Sequence, residues 1–242
     1  ETDRGKLKTA AHQQPCPPRL SAFTLVELLA VVAIIAVLAI LAASGAGTVR
    51  AAANKAKCLS NQRQIGLALI NYANENGSEF PPTTHTTGPF GKGKSWIFEL
   101  APYLDDSDAV RVCPADPPER QKRIRAMGAT SYVLNDLVFD SYDYNRLVKI
   151  PRPSKTLLIS ILSEKRAPSL TRDHIHGDEW NTWGAALNDI EPDRHRSGAR
   201  APDRMNGSSN YLFADGHAEN ITAREFKARF DAGINPAAIP ID

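Results

Sequence analysis

The side chains able to do chemistry are concentrated in a few places. In the segment DHIHGDEW, Asp173, His174, His176, Asp178 and Glu179 lie close together. A spacing of two puts His174 and His176 on one side of an extended strand, where a carboxylate beside them would complete a transition-metal site. Surface loops also gather such residues without binding anything, and that reading stands beside the first. Asp189, Asp193 and Asp215 are hard oxygen ligands of the kind calcium takes, so calcium is the one cofactor kept in view. Asp215, followed by Gly216, reads equally as the hydrogen-bonded head of a tight turn. Three cysteines are present, Cys16, Cys58 and Cys113, and none lies in a C-x-x-C pair, so the spacing reads out no thiolate metal cluster. If Cys16 leaves with a leader, Cys58 and Cys113 remain as an even pair, either a disulfide or two buried thiols. No G-x-S-x-G elbow, H-E-x-x-H helix or phosphate-cradling glycine loop occurs, so no catalytic residue and no enzymatic activity is expected. Trp96, Trp180 and Trp183 read as packing residues; exposed, the last two would suit an adhesive surface.

The remaining reactive group is Glu27, and its surroundings define it. FTLVELLAVVAIIAVLAILAA, residues 23–43, carries that carboxylate as its single charge. At about 1.5 Å per residue the segment spans a hydrocarbon core of roughly 30 Å. It is expected to form a transmembrane helix. Residues 1–22 hold Arg4, Lys6, Lys8 and Arg19 against Glu1 and Asp3, a basic leader that the positive-inside tendency keeps cytoplasmic. The small pair Ser21-Ala22 precedes the apolar run, whereas a secretory signal peptide places its cleavage site after it. Cutting between Ala22 and Phe23 would remove the leader and keep the helix as an anchor. A carboxylate inside such a helix needs a partner or water. Either Glu27 meets the α-amine that cleavage creates on Phe23 of a neighbouring subunit, or it is hydrated one turn from the membrane surface.

With 29 Lys and Arg against 27 Asp and Glu, the net charge of +2 gives no nucleic-acid surface. From 44 to 76 the sequence is rich in helix formers, with Cys58, Ile65, Leu69 and Tyr72 at helical spacing, so the N-terminal helix is expected to continue to Asn76-Gly77. Residues 77–242 are expected to be an exported domain of α+β class, a long helix on a small, mainly antiparallel sheet with extended loops. Its strands are read at Ser131 to Leu134, Thr156 to Leu162 and Asn210 to Phe213, the last entering a hairpin at Asp215-Gly216. Thr222 and Glu225 form a capping-box pattern, with Ile221 and Phe226 as a staple, for a last helix from Ala223 to Phe230.

Ala22 followed by FTLVELL resembles the processing and methylation motif of type IV prepilins and type II secretion pseudopilins, closely over residues 22–43. The resemblance implies cleavage by a prepilin peptidase before Phe23, N-methylation of Phe23, and assembly with other pilin-like subunits on an inner-membrane platform into a pseudopilus or pilus. It implies a single-pass protein of the bacterial inner membrane whose C-terminal domain is periplasmic. Ala22 stands where that family usually has glycine. CLSNQRQIGLAL, VCPAD and YLFADGHAE are also similar to the large pilin-like family of planctomycetes and verrucomicrobia, which carries a C-terminal H-x9-D-G element. Here Asp215 and Gly216 match its second half. His195 is the candidate for its first, separated from Asp215 by 19 residues, ten more than the pattern, so either an insertion expands the connecting loop or His195 is not the equivalent residue. A membrane-anchored or fibre-tip adhesin is the second reading, and an anchored enzyme around His174, His176 and His195 the third.

Overall fold

The structure, a computed structural model, describes residues 24–84, 96–105, 107–196 and 198–241, side chains at 41–46 and 107 excepted. The expected leader, Ala22 and Phe23 lie outside the described residues. The chain divides into two compact units, Glu1–Gly45 and Ala46–Asp242, and each has its own physical logic.

Helix α1 runs from Leu25 to Glu75. In the first unit all its described side chains are exposed, including Leu25, Val26, Leu29, Ile34, Ile35 and Ile40. A helix apolar on every face requires an apolar surrounding. Among the described residues no helix is long and apolar enough to cross a membrane, and the described side chains of this apolar run stop at Ile40.

In the second unit the same helix changes character. Cys58, Asn61, Gln62, Ile65, Leu69 and Ala73 are buried at intervals of three and four, while Arg63, Leu67, Asn71 and Asn74 stay exposed. That is the one-sided stripe of a helix laid on a core. The helix ends where expected: Gly77 takes φ +63°, a left-handed conformation that closes a helix without a Cβ clash.

The sheet has six strands, β1 Tyr132–Asn135, β2 Leu157–Ile161, β3 His174–Ile175, β4 His195–Arg196, β5 Gly207–Phe213 and β6 Ala218–Thr222. Their order is β3-β1-β2-β5-β4, with β6 also paired to β5; only the β1–β3 pair is parallel. Short helices decorate it: α2 Trp96–Glu99, α3 Ser107–Val110, α4 Pro118–Ala126, α5 Asp136–Phe139, α6 Trp183–Asp189 and α7 Ala223–Asp231.

Period-two alternation divides the strands between two cores. Tyr132, Leu134, Ile159, Ile161 and Leu212 join Cys58, Ile65 and Leu69 of α1 on one face. Val133, Tyr211, Phe213 and Ile221 join Trp180, Phe226 and Ala186 on the other. Burial on both faces is why these strands read as nearly continuous apolar runs. The capping box is formed as its pattern requires, Thr222 Oγ1 accepting from the Glu225 amide and the Glu225 carboxylate accepting from Thr222.

Trp96 and Trp180 are fully buried, and Trp180 packs edge-on to Phe226 at 6.4 Å. Trp183 is half-buried against Phe230 at 5.8 Å. The tryptophans are therefore packing residues, and the pair does not present an exposed adhesive platform.

Candidate functional site

Three segments distant in sequence meet on the α1 face of the sheet. Cys58 arrives on the buried stripe of α1. Cys113 is carried by a turn, Cys113–Asp116, in which the Asp116 amide donates to the Cys113 carbonyl at 3.0 Å. The turn is fixed from outside, because Ser131 Oγ accepts from the Cys113 amide at 2.8 Å and donates to the Asp116 carboxylate. Asn61 of α1 donates to the carbonyl of Val112 at 3.4 Å, tying the turn to the helix that carries Cys58. His195 comes from β4, where it lies opposite Ser208 of β5. Cross-strand partners share a face, and Ser208 shares its face with Asn210 and Leu212, which meet α1.

The result is a compact group. Cys58 Sγ and Cys113 Sγ are 3.2 Å apart, both residues are fully buried, and both thiols are free. Sulfur and imidazole ligand atoms of Cys58, Cys113 and His195 all lie within 4.8 Å of one another. Tyr132 places its hydroxyl 3.5 Å from Cys58 Sγ. Apart from the contact with Cys58, neither ring nitrogen of His195 has a hydrogen-bond partner among the described residues. Burial works to raise the Cys58 thiol, but hydrogen-bonding contact with Cys113 and with the His195 imidazole outweighs it and pulls the pKa down. Burial and the adjacent Cys58 push Cys113 well up.

A buried ionic network stands behind His195. Arg194 reaches Asp116 at 3.1 Å and also pairs with Glu164 and, at 3.7 Å, Glu191. Arg200 joins Glu164 at 3.0 Å and Glu191 at 2.7 Å, while Arg204 pairs with Glu191 and with Asp193. Burial opposes ionisation of Glu164, yet Arg194 and Arg200 overcome it and hold its pKa at about 2. For Asp193 burial prevails and raises it.

The other sequence candidates separate. Asp189 accepts from Trp180 Nε1 at 2.8 Å and pairs with Arg166 at 2.9 Å. Asp193 is engaged by arginines and Asp215 by His217, so the three carboxylates are not brought together as a calcium cage. His174 and His176 do lie side by side, their rings 5.2 Å apart, but His174 is bound to Asp173 and His176 turns to Asp136 at 3.4 Å. Asp136, His176 and Asp178 form a second, more exposed group of ligand types. Neither histidine joins His195.

Asp215 and Gly216 make the β5–β6 turn, Gly216 at φ +86° donating to the Phe213 carbonyl at 2.9 Å. A Cβ on Gly216 would come within 2.7 Å of Ile70 Cδ1, the end of a side chain that can turn aside, so it is the positive φ that calls for glycine here. His195 pairs beside Ser208, seven residues from Asp215 and so roughly 20 Å away along the strand. His195 and the Asp215-Gly216 turn therefore serve different places. Ten residues, 197–206, separate the end of β4 from the start of β5.

In the first unit, Glu27 closes a capping box of its own. Its carboxylate accepts from the Thr24 amide at 2.9 Å and the Thr24 hydroxyl at 2.7 Å, and its amide donates to Thr24 Oγ1 at 3.3 Å. The T-x-x-E pattern at 24–27 was the available signal for this role.

Comparison with known proteins adds one finding. Residues 47–131 match a family, SBP_bac_10, described as a protein of unknown function (DUF1559). The matched stretch holds the second-unit part of α1, Cys58 and the Cys113 turn; His195 and the Asp215-Gly216 turn lie beyond it. No curated protein and no solved structure matches the chain.

Proposed function

We propose that this chain is a structural pilin-like subunit, cut between Ala22 and Phe23 by a prepilin peptidase and assembled through the exposed apolar part of α1 into a pseudopilus or pilus. The observation that carries the reading is the helix from Leu25 to Ile40, whose side chains are exposed on every face and whose single charge is Glu27. Such a surface is stable only in lipid or against copies of itself. In this reading the anchor lies in the inner membrane, the basic leader is cytoplasmic, and the sheet domain is exported. The partners are the peptidase and methyltransferase, neighbouring subunits and the assembly platform. The domain then serves as a rigid body displayed by the helix, which agrees with a core built on α1 itself.

Two roles for Glu27 are separable. As an assembly residue it pairs with the Phe23 amine of a neighbour; as a capping residue it holds the first turn through Thr24. Glu27→Val and Thr24→Ala in cells with the assembly machinery distinguish them. The assembly role predicts that Glu27→Val inserts in the membrane at wild-type levels but is missing from sheared fibres, while Thr24→Ala is incorporated. Equal incorporation of Glu27→Val and wild type removes the assembly role, and equal loss in both variants assigns the carboxylate to capping.

A further inference from the structure

We propose that Cys58, Cys113 and His195 form a binding site for one zinc-type divalent ion, held by two thiolates and one imidazole. The three ligand atoms already lie within 4.8 Å of one another, and each comes from a different element: α1, the Cys113 turn and β4. Two sulfurs bound to one zinc at about 2.3 Å each, at a tetrahedral angle, sit roughly 3.8 Å apart. The observed 3.2 Å is nearer to that than to the about 2.05 Å of a disulfide. The imidazole favours the ion, because His195 has a ring nitrogen within 4.8 Å of both sulfurs that a disulfide would leave unused and a metal ion takes as ligand.

The surroundings suit an ion. Two thiolates and a neutral imidazole carry the charge that a divalent cation cancels, so binding to the thiol form releases two protons, one from each sulfur. A cavity of about 180 Å³, bounded by Ala51, Asn54, Ala115, Arg194, His195 and Arg196, leads to the imidazole side of the group. It marks the side from which an ion would approach. Because the ligands sit on three segments, the ion would clamp the helix, the turn and the edge strand into one unit. The site does not depend on the pilin reading.

Cobalt(II) is the probe, added to the full chain in detergent without air, in a Cys16→Ala background that leaves two thiols. The expected result is one cobalt per chain with a thiolate-to-cobalt charge-transfer absorption, displaced by zinc. Cys58→Ser and Cys113→Ser should each abolish or strongly diminish that absorption. His195→Gln keeps both sulfurs and should weaken cobalt at least tenfold, with far-ultraviolet circular dichroism unchanged as the control for folding. A fully reduced wild-type chain without the absorption overturns the site, as does His195→Gln binding with unaltered affinity. A Cys58–Cys113 disulfide in metal-free protein isolated without reductant overturns it too.

Discussion

Gly216 is fixed by its backbone. Its φ of +86° is open to glycine at little cost, and an added Cβ would also have to push aside the end of the Ile70 side chain. Gly216→Ala should lower the unfolding free energy by about 1 to 3 kcal/mol, read as a reduced urea midpoint with unchanged slope. Glu164 yields a prediction with a pH signature. Its folded pKa of about 2 lies below the ordinary 4.5, so its stabilisation is complete above the unfolded value and disappears as pH falls through the folded one. Glu164→Gln should therefore be less stable than wild type at neutral pH, and the gap should close between about pH 4.5 and pH 2. A gap independent of pH would mean the carboxylate's charge is not what Arg194 and Arg200 use. Asp215-Gly216 and Thr222-Glu225 were readable from sequence because each is a local device of a few residues. The group of Cys58, Cys113 and His195 was not, since no spacing within one segment records it. Nor was the buried network, because arginines and carboxylates in a sequence look like surface until the fold encloses them.

Among the elements, strands were legible where both faces are apolar and illegible where they are short. β1, β2 and β5 stand within one to three residues of the stretches their composition marks. β3 and β4 are two residues each and gain their identity from neighbours: β3 from β1, β4 from the Ser208 end of β5. A histidine on such an edge acquires its neighbours from register, which explains why His195 could be named but not placed. The last helix rests on local signals and is testable alone. Thr222→Ala removes the acceptor for the Glu225 amide and should cost about 1 kcal/mol, seen by thermal or urea unfolding. Trp180 belongs to the packing of this helix on the sheet, so Trp180→Ala should destabilise by about 3 to 5 kcal/mol. Wild-type stability in that variant would contradict the buried position beside Phe226 and Asp189.

At the scale of the whole molecule, α1 has two kinds of surface. From Leu25 to Ile40 its described side chains are exposed and almost wholly apolar, and from Cys58 onward one stripe is buried in the domain core. A chain that carries such a surface into water would aggregate, so the surface implies an apolar host, and the pilin-like proposal supplies one in lipid and another in the fibre. What separates that proposal from any other anchored domain is the cut between Ala22 and Phe23. The direct measurement is the N-terminal sequence, with intact mass, of the protein extracted from membranes of cells that contain a prepilin peptidase. The account predicts a chain beginning at Phe23 and heavier by one methyl group than the cleaved sequence; a chain that still carries Ala22 and the basic residues before it on every copy would contradict it.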